Sequence, residues 1–395
     1  MFTNREMLLH QVGDHGLERA GSVADAHVLR RKGHLKEQDD FIDFIISLHT
    51  THTPEEAMAK LERWVEEHRL KPERSTLKGL VHSVGQFFTH LPLVHSLREY
   101  DALTRLTSRR FVMPNFAEIR HILNIAQVHA SAPQLRLLTF DADGTLYEDG
   151  AHLEEDDTMI SRIITLMRLG VIVVIVTAAG YPGRPERFEQ RVTGLMAALH
   201  KLNLSELQDK FLVMGGECNY LLRPDENWRL QLIDPTLWQS PEMLSYKQAD
   251  VEAVLDQAQS LLLESAERLG MKVELVRKER AVGIVPQKVT MFEALEDIAL
   301  TVQAELADSS IPFCCFNGGN DVFVDIGNKN LGISALMSYM AATPAETLFV
   351  GDRFTVTGND SNVKGCCPIL WVANPEETGF FLNICLDRKG AKASV

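Results

Sequence analysis

The chain has 395 residues, of which 45% are apolar and 24% charged. That balance fits a soluble globular protein of two or three domains and excludes a wholly disordered chain. A formal net charge of −14 argues against non-specific nucleic-acid binding. An anionic substrate would have to be met locally, by a metal ion, a lysine or oriented backbone N–H groups.

The longest strongly apolar run, residues 171–176, is far short of the ~20 residues a membrane-spanning helix needs. The first residues, MFTNREMLLHQVGDHG, lack the basic start and apolar stretch of a signal peptide. The six cysteines, at 218, 314, 315, 366, 367 and 385, show no C-x-x-C spacing and lie in apolar company. They read as buried thiols of a reducing compartment, which points to the cytoplasm.

Residues 1–131 carry helical texture. Phe41, Ile42, Phe44, Ile45 and Ile46 precede a turn at 51–54, and Ala57, Met58, Leu61, Trp64 and Val65 then recur at helical spacing. Pro54 with Glu55 and Glu56 marks a helix N-terminus. Further helices are expected over 77–89 and 117–130, and no strand pattern appears.

The texture changes at 131–133. Leu135-Arg-Leu-Leu-Thr-Phe140 reads as a buried strand, 154–169 as a helix and 171–177 as a second strand, the signature of a parallel α/β sheet. Between 186 and 310 helices mix with short strands: 246–269 is a helix, and 271–276 and 281–285 form a strand pair. The α/β texture returns at 321–326, 347–350 and 369–372. The expected organisation is a helical region over 1–131, an α/β core over 132–185 and 311–395, and an inserted domain over 186–310.

Phe140-Asp141-Ala142-Asp143-Gly144-Thr145 carries the strongest chemical signal. Two carboxylates two residues apart, where a strand breaks at glycine, project at the sheet edge where ligands bind. They can hold Mg²⁺, a hard ion that takes oxygen ligands. One can attack phosphorus while the other manages the leaving group's proton. Thr177 ends the second strand and can grip a phosphate oxygen. Lys329 opens an apparent helix and would reinforce phosphate binding. The stretch 347–360 places another Gly-Asp at a strand end, making Asp352 a second-strand ligand for the cation, with Asn359-Asp360 eight residues on. Taken singly, Thr177 is also an ordinary strand end and Lys329 an ordinary surface lysine; the order of all four elements distinguishes them.

In that order the four elements resemble the haloacid-dehalogenase superfamily of phosphotransferases over about 135–372. The resemblance implies Asp141 as the nucleophile that becomes an aspartyl-phosphate, and Asp143 as general acid and then base. It implies Thr177 and Lys329 as phosphate holders, and Mg²⁺ bound by Asp141, the Asp143 carbonyl and Asp352. Asp360 or Asn359 would order the metal's waters. The insertion after the second motif resembles a C2-type α/β cap. The implied fold class is α/β: a Rossmann-like core with a parallel sheet, that cap, and a helical N-terminal domain.

Longer strings narrow the resemblance. Thr139-Phe-Asp-Ala-Asp-Gly-Thr-Leu-Tyr-Glu-Asp-Gly150, Arg277-Lys-Glu-Arg280-Ala-Val-Gly283, Asp325-Ile-Gly-Asn-Lys329 and the loop 351–360 are similar to the IMP-specific 5′-nucleotidases of fungi and apicomplexan parasites. So are Phe116-Ala-Glu-Ile-Arg120-His121-Ile-Leu-Asn124 and Arg30-Arg31-Lys32-Gly-His34. The resemblance implies hydrolysis of IMP to inosine and phosphate, a homotetramer, and ATP as an allosteric activator. Arg120, His121 and Asn124 share one helix face by spacing, and are either part of the effector site or a solvated or inter-subunit face. Arg277, Lys278 and Arg280 either reach the nucleotide or form a solvated basic face. Asp149 is placed to touch ribose or purine, and the turn 214–219 either lies near the base or is a plain turn.

Two other readings stand beside this one. One is a phosphomannomutase-like phosphomutase or sugar phosphatase, against which the long helical N-terminal region argues. The other is a catalytically silent nucleotide sensor, against which the intact residue types of all four elements argue.

Overall fold

A computed structural model describes residues 38–155, 157–181 and 184–391. The expected basic segment Arg30–His34 lies outside the described residues. The N-terminal part is helical: α1 (Asp40–Leu48), α2 (Pro54–Leu70), α3 (Leu93–Thr104) and α4 (Phe116–Ser131). Thr53 and Glu56 form a reciprocal capping box at α2, as do Asn115 and Glu118 at α4. Ile45, Met58, Leu61, Leu97, Ile119, Ile122 and Ile125 are buried in one core with the α/β part. The helix expected over 77–89 forms only at Thr76–Leu80. Gly79 and Gly85 each weaken a helix by roughly 1 kcal/mol, and the His68 ring holds the remainder irregular, bonding Ser75 Oγ (2.6 Å) and the Gly85 carbonyl (3.0 Å).

The core sheet has seven strands: β1 (Leu137–Asp141), β2 (Ile172–Val176), β3 (Phe211–Gly215), β4 (Tyr220–Pro224), β5 (Leu230–Leu232), β10 (Thr347–Gly351) and β11 (Ile369–Trp371). Their order is β11-β10-β1-β2-β3-β4-β5. The pairs from β11 through β3 are parallel, whereas β4 and β5 are antiparallel additions. Helices α5 (Thr158–Arg168), α6 (Pro185–Arg191) and α7 (Thr193–Lys201) lie between β2's neighbours in sequence. No helix of the described residues is long and apolar enough to cross a membrane.

A second, four-stranded antiparallel sheet has the order β6-β7-β9-β8. It comprises β6 (Val273–Arg277), β7 (Ala281–Pro286), β8 (Phe313–Asn317) and β9 (Val322–Ile326). Helices α8 (Gln248–Arg268) and α9 (Phe292–Glu305) cover one face, where Leu255, Leu262, Ile298 and Val302 pack on Val282, Ile284, Val322 and Val324.

This sheet membership corrects the expected 186–310 boundary at both ends. Phe211–Gly215 is buried throughout and pairs parallel with β2, as a strand of a doubly covered sheet must. The segment 321–326, expected in the core, instead pairs antiparallel with β7 and β8. The chain returns to the core at α10 (Lys329–Tyr339) and ends in α11 (Pro375–Arg388).

Candidate active site

Parallel register fixes the site. Asp141 pairs with Val176 across β1 and β2, and Phe140 with Val350 across β1 and β10. Asp141, Thr177 and Asp352 therefore emerge at one edge, at the C-terminal ends of adjacent strands. Gly144 has φ +74°, and a Cβ there would approach Asp352 Oδ2 to 2.8 Å. Glycine thus lets the turn after β1 close against Asp352.

Lys329, at the first turn of α10, is fully buried. Its Nζ donates to Asp141 Oδ1 (2.5 Å) and Asp360 Oδ1 (2.6 Å). Asp360 Oδ2 accepts from the Arg353 backbone N–H (2.9 Å). Burial pushes the Asp141 carboxyl well above the usual range, Lys329 opposes it, and Asp360 and Asp352 add to the upward push. Burial alone would lower the Lys329 ammonium, but Asp141 and Asp360 outweigh it and hold it charged.

Ligand oxygens of Asp141, Asp352 and Asp360 all lie within 4.8 Å of one another. Three carboxylates face the Lys329 ammonium and the Arg353 guanidinium, whose Nε is 3.7 Å from Asp352 Oδ2, so one negative charge stays in excess, and an oxygen-only donor set suits a hard divalent cation. His95, Glu99 and His129 form another close group. There Arg388 Nη2 already supplies a cation, 3.0 Å from His95 Nε2 and 3.4 Å from His129 Nε2.

Asp143 stands beside this cluster. Its Oδ1 accepts from Gly150 N–H (3.0 Å) and lies 3.4 Å from Arg191 Nη1. Thr177 is buried; its Oγ1 accepts from Ala179 N–H (3.1 Å), leaving the hydroxyl proton to donate. Asp149 is exposed, 3.9 Å from Arg353 Nη2. Both line a chamber of about 340 Å³ with Phe292, Asn320, Asp352 and Trp371.

Arg277 is not brought to the cluster. Cross-strand partners share a face, and Arg277 pairs with Val282 on the helix-covered side. Its guanidinium donates to Asp256 Oδ1 on α8 (2.8 Å). Lys278, one residue on, lies over the Phe323 ring at 5.0 Å.

Arg120, His121 and Asn124 do share a face of α4, but it is buried at the junction with the core rather than open. Arg120 Nη2 and His121 Nε2 reach Glu377 Oε1 at 2.8 and 3.0 Å. Asn124 exchanges two hydrogen bonds with the Trp371 backbone. The Trp371 indole N–H in turn donates to the Asp352 carbonyl (3.1 Å). Arg120 and Asn124 border a cavity of about 450 Å³ with Phe41, Phe87, Lys364 and Trp371, which His121 does not line.

Arg191 and Arg353 are not singled out by the sequence, and Glu217 enters there only as part of the turn 214–219. Glu217 is fully buried, and its Oε2 accepts from Asn359 Nδ2 (3.3 Å). Burial pushes its carboxyl up to about 7, against Lys329 and the Asn359 hydrogen bond. Glu217 and Cys218 have φ of 47° and 71°, which costs about 1–3 kcal/mol for each non-glycine residue. The turn 215–219 is held by Asn219, which donates to Gly216 O (2.6 Å) and Ile326 O (2.7 Å). All six cysteines are buried free thiols.

Strand-end acids, a buried lysine and a threonine at the edge of a parallel sheet are the arrangement of a haloacid-dehalogenase-type protein. A sequence profile described as IMP-specific 5′-nucleotidase matches residues 22–382. The chain belongs to the IMP-specific 5′-nucleotidase family. It is 41% identical to IMP-specific 5′-nucleotidase 1 of Yarrowia lipolytica over 78% of this chain and 76% of that one. It is 39% identical to the Saccharomyces cerevisiae protein of that name, over 80% and 78%. An IMP-bound, N-terminally truncated Plasmodium falciparum IMP-nucleotidase superposes with TM-score 0.83 at 31% identity, covering 89% of this chain and 97% of that one. An ATP-bound structure of the Plasmodium protein superposes with TM-score 0.80 at 30% identity, covering 92% and 90%.

Proposed function

We propose that this chain hydrolyses IMP to inosine and phosphate through an aspartyl-phosphate on Asp141, with Mg²⁺ as cofactor. The observation that carries the reading is the buried Asp141 carboxylate, held by Lys329 beside Asp352 and Asp360. Family membership and the IMP-bound Plasmodium relative support IMP as substrate.

In this reading Asp141 Oδ attacks phosphorus, and the bond from phosphorus to the ribose 5′-oxygen breaks. Asp143 gives its proton to that oxygen, releasing inosine. Asp143 then takes a proton from the water that attacks the aspartyl-phosphate, and phosphate leaves as Asp141 is restored. Thr177 and Lys329 hold the phosphate oxygens. Asp141, the Asp143 carbonyl and Asp352 are the proposed Mg²⁺ ligands, with Asp360 and Asn359 ordering its waters. Mg²⁺, when bound, offsets the charge of the transferring phosphoryl group. The nucleoside occupies the 340 Å³ chamber, where Asp149 and Arg353 meet its polar edge and Phe292 its apolar face. The second sheet with α8 and α9 acts as the cap that excludes water.

ATP is the proposed effector. The 450 Å³ cavity supports its placement between the helical region and the core: Phe41, Phe87 and Trp371 offer stacking surfaces, and Lys364, now paired with Asp39 (2.7 Å), is the cation that would turn to a phosphate. Arg120 and Asn124 form its wall, and His121 acts through Glu377 behind it. A homotetramer is proposed, for which the exposed 111–113 tip offers apolar surface. Free buried thiols support a cytoplasmic location.

The test is phosphate release from IMP, AMP, GMP, CMP and sugar phosphates, with and without Mg²⁺ and ATP. IMP should dominate, chelation should abolish release, and ATP should lower the IMP concentration for half-maximal rate without being consumed. Preference for a sugar phosphate, or a need for a bisphosphate activator, would overturn the reading.

A further inference from the structure

The reaction outlined above gives no task to Glu217. Its carboxylate is fully buried, Oε1 has no hydrogen-bond partner, and Oε2 takes the Asn359 amide. An acid in such a place is costly unless it does something that an apolar residue cannot.

The turn that carries Glu217 bridges the end of β2, the start of α10 and the loop 353–360. The Glu217 N–H donates to the Thr177 carbonyl (3.3 Å). Cys218 fills the space over Gly332 of α10, where a Cβ would approach it to 2.1 Å. Asn219 fastens the turn to Ile326, just before the chain re-enters the core at Lys329. The side chain of Glu217 then points across to the loop 353–360. That loop is anchored to α9, where Thr357 Oγ1 donates to Glu296 Oε1 (2.6 Å) and Gln303 Nε2 donates to the Val356 carbonyl (3.4 Å). At its far end Asn359 is anchored to Glu217, and the next residue is Asp360. Asp360 is closely set: it packs against Gly351, where a Cβ would approach Asp360 Oδ2 to 2.4 Å, and it accepts from Lys329.

We propose that Glu217 is a positioning residue which, through Asn359, holds the Asp360 carboxylate on Lys329 and within the cation-binding group. The inference rests on the Mg²⁺ reading given above. It requires a hydrogen-bond acceptor at the Glu217 position, so Glu217→Gln keeps the function and Glu217→Ala loses it.

Calorimetric titration of Mg²⁺ into the full-length protein tests this without turnover, with thermal melting followed in parallel. Asp352→Asn serves as the control for binding at the cluster. Removing an outer partner of this kind weakens metal binding about 10- to 100-fold, and that is the loss expected for Glu217→Ala and for Asn359→Ala. Because the two act as one unit, the double variant should bind no more weakly than the weaker single variant. Glu217→Gln, which keeps an acceptor, should lose less than the roughly 10-fold expected at minimum of Glu217→Ala. Parent-like binding by Glu217→Ala or Asn359→Ala, or multiplied losses in the double variant, would overturn the inference alone. If the parent protein binds no Mg²⁺, the cofactor reading fails and takes the inference with it. If Glu217→Ala shows no melting transition, Asn359→Ala and Glu217→Gln still decide.

Discussion

The ammonium of Lys329 lies 2.5 Å from Oδ1 of Asp141, although 188 positions separate the two in sequence. Lys329 also bonds Asp360 in the same buried space. Removing one partner of a buried ionic group costs about 3–5 kcal/mol, because the remaining charges are left uncompensated. Lys329→Met should therefore lose activity and melt well below the parent protein in chelator. Added Mg²⁺ should recover part of that loss, since a divalent cation offsets the uncompensated carboxylates. Equal melting temperatures of the two proteins in chelator would contradict this.

Asp143 and Asp352 should fail differently. Asp143→Asn removes the proton donor, worth about 10²–10⁴-fold in rate, and phosphate release should fall by that much at saturating Mg²⁺. Asp352→Asn should mainly raise the Mg²⁺ concentration required. A profile in which excess Mg²⁺ rescues the first variant and not the second would reverse the assignment.

The strands that carry Asp141 and Asp352 were legible because their signals are local. A short apolar run ending in Asp-x-Asp-Gly dictates both a buried strand and carboxylates at its end, and 347–352 repeats the pattern. Lys329 and Asp360 followed from order along the chain. Glu217 was not legible, since Gly-Gly-Glu-Cys-Asn reads as a turn and only the return of the chain at Asn328 brings α10 and the loop 353–360 around it. The two readings of Arg277 could not be separated in the sequence because strand alternation decides its face: Arg277 falls on the side of Val282 and Lys278 on the other. The face formed by Arg120, His121 and Asn124 followed correctly from helical spacing. What covers it, Glu377 of α11 and the Trp371 backbone, is about 250 residues away in sequence.

That junction yields a stability prediction. Burial alone would raise the Glu377 carboxyl, but the hydrogen bond from His121 and the charges of Arg120 and His121 outweigh it and hold it below the usual glutamate range. A carboxyl depressed in the folded state adds stability that is present above the unfolded value and lost as pH falls through the folded one. Glu377→Gln should thus melt at a lower temperature at neutral pH, and the gap should narrow as pH falls below 4.5. A gap that widens in acid would contradict the pairing. Glu377→Ala should cost more, about 3–5 kcal/mol, by leaving Arg120 buried without its carboxylate.

Specificity follows from purine chemistry. IMP offers an O6 acceptor and an N1–H donor, whereas AMP presents an N6 donor and an N1 acceptor. A site built for the first pattern leaves polar groups unpaired with the second, a mismatch that discriminates by about 10⁴ or more. The kcat/KM for IMP should exceed that for AMP by such a factor, with GMP between them or close to AMP. Comparable values for IMP and AMP would indicate a general nucleotidase.

On the proposed mechanism Asp141 carries the phosphoryl group between the two half-reactions. Acid-quenching the protein during IMP turnover, followed by digestion and mass spectrometry, tests it directly. A phosphoryl group should be found on the peptide containing Asp141, localised to that residue, lost when turnover is completed before quenching and absent from Asp141→Asn. Sustained turnover with no phosphoryl group on Asp141, or with the group on another residue, would contradict it.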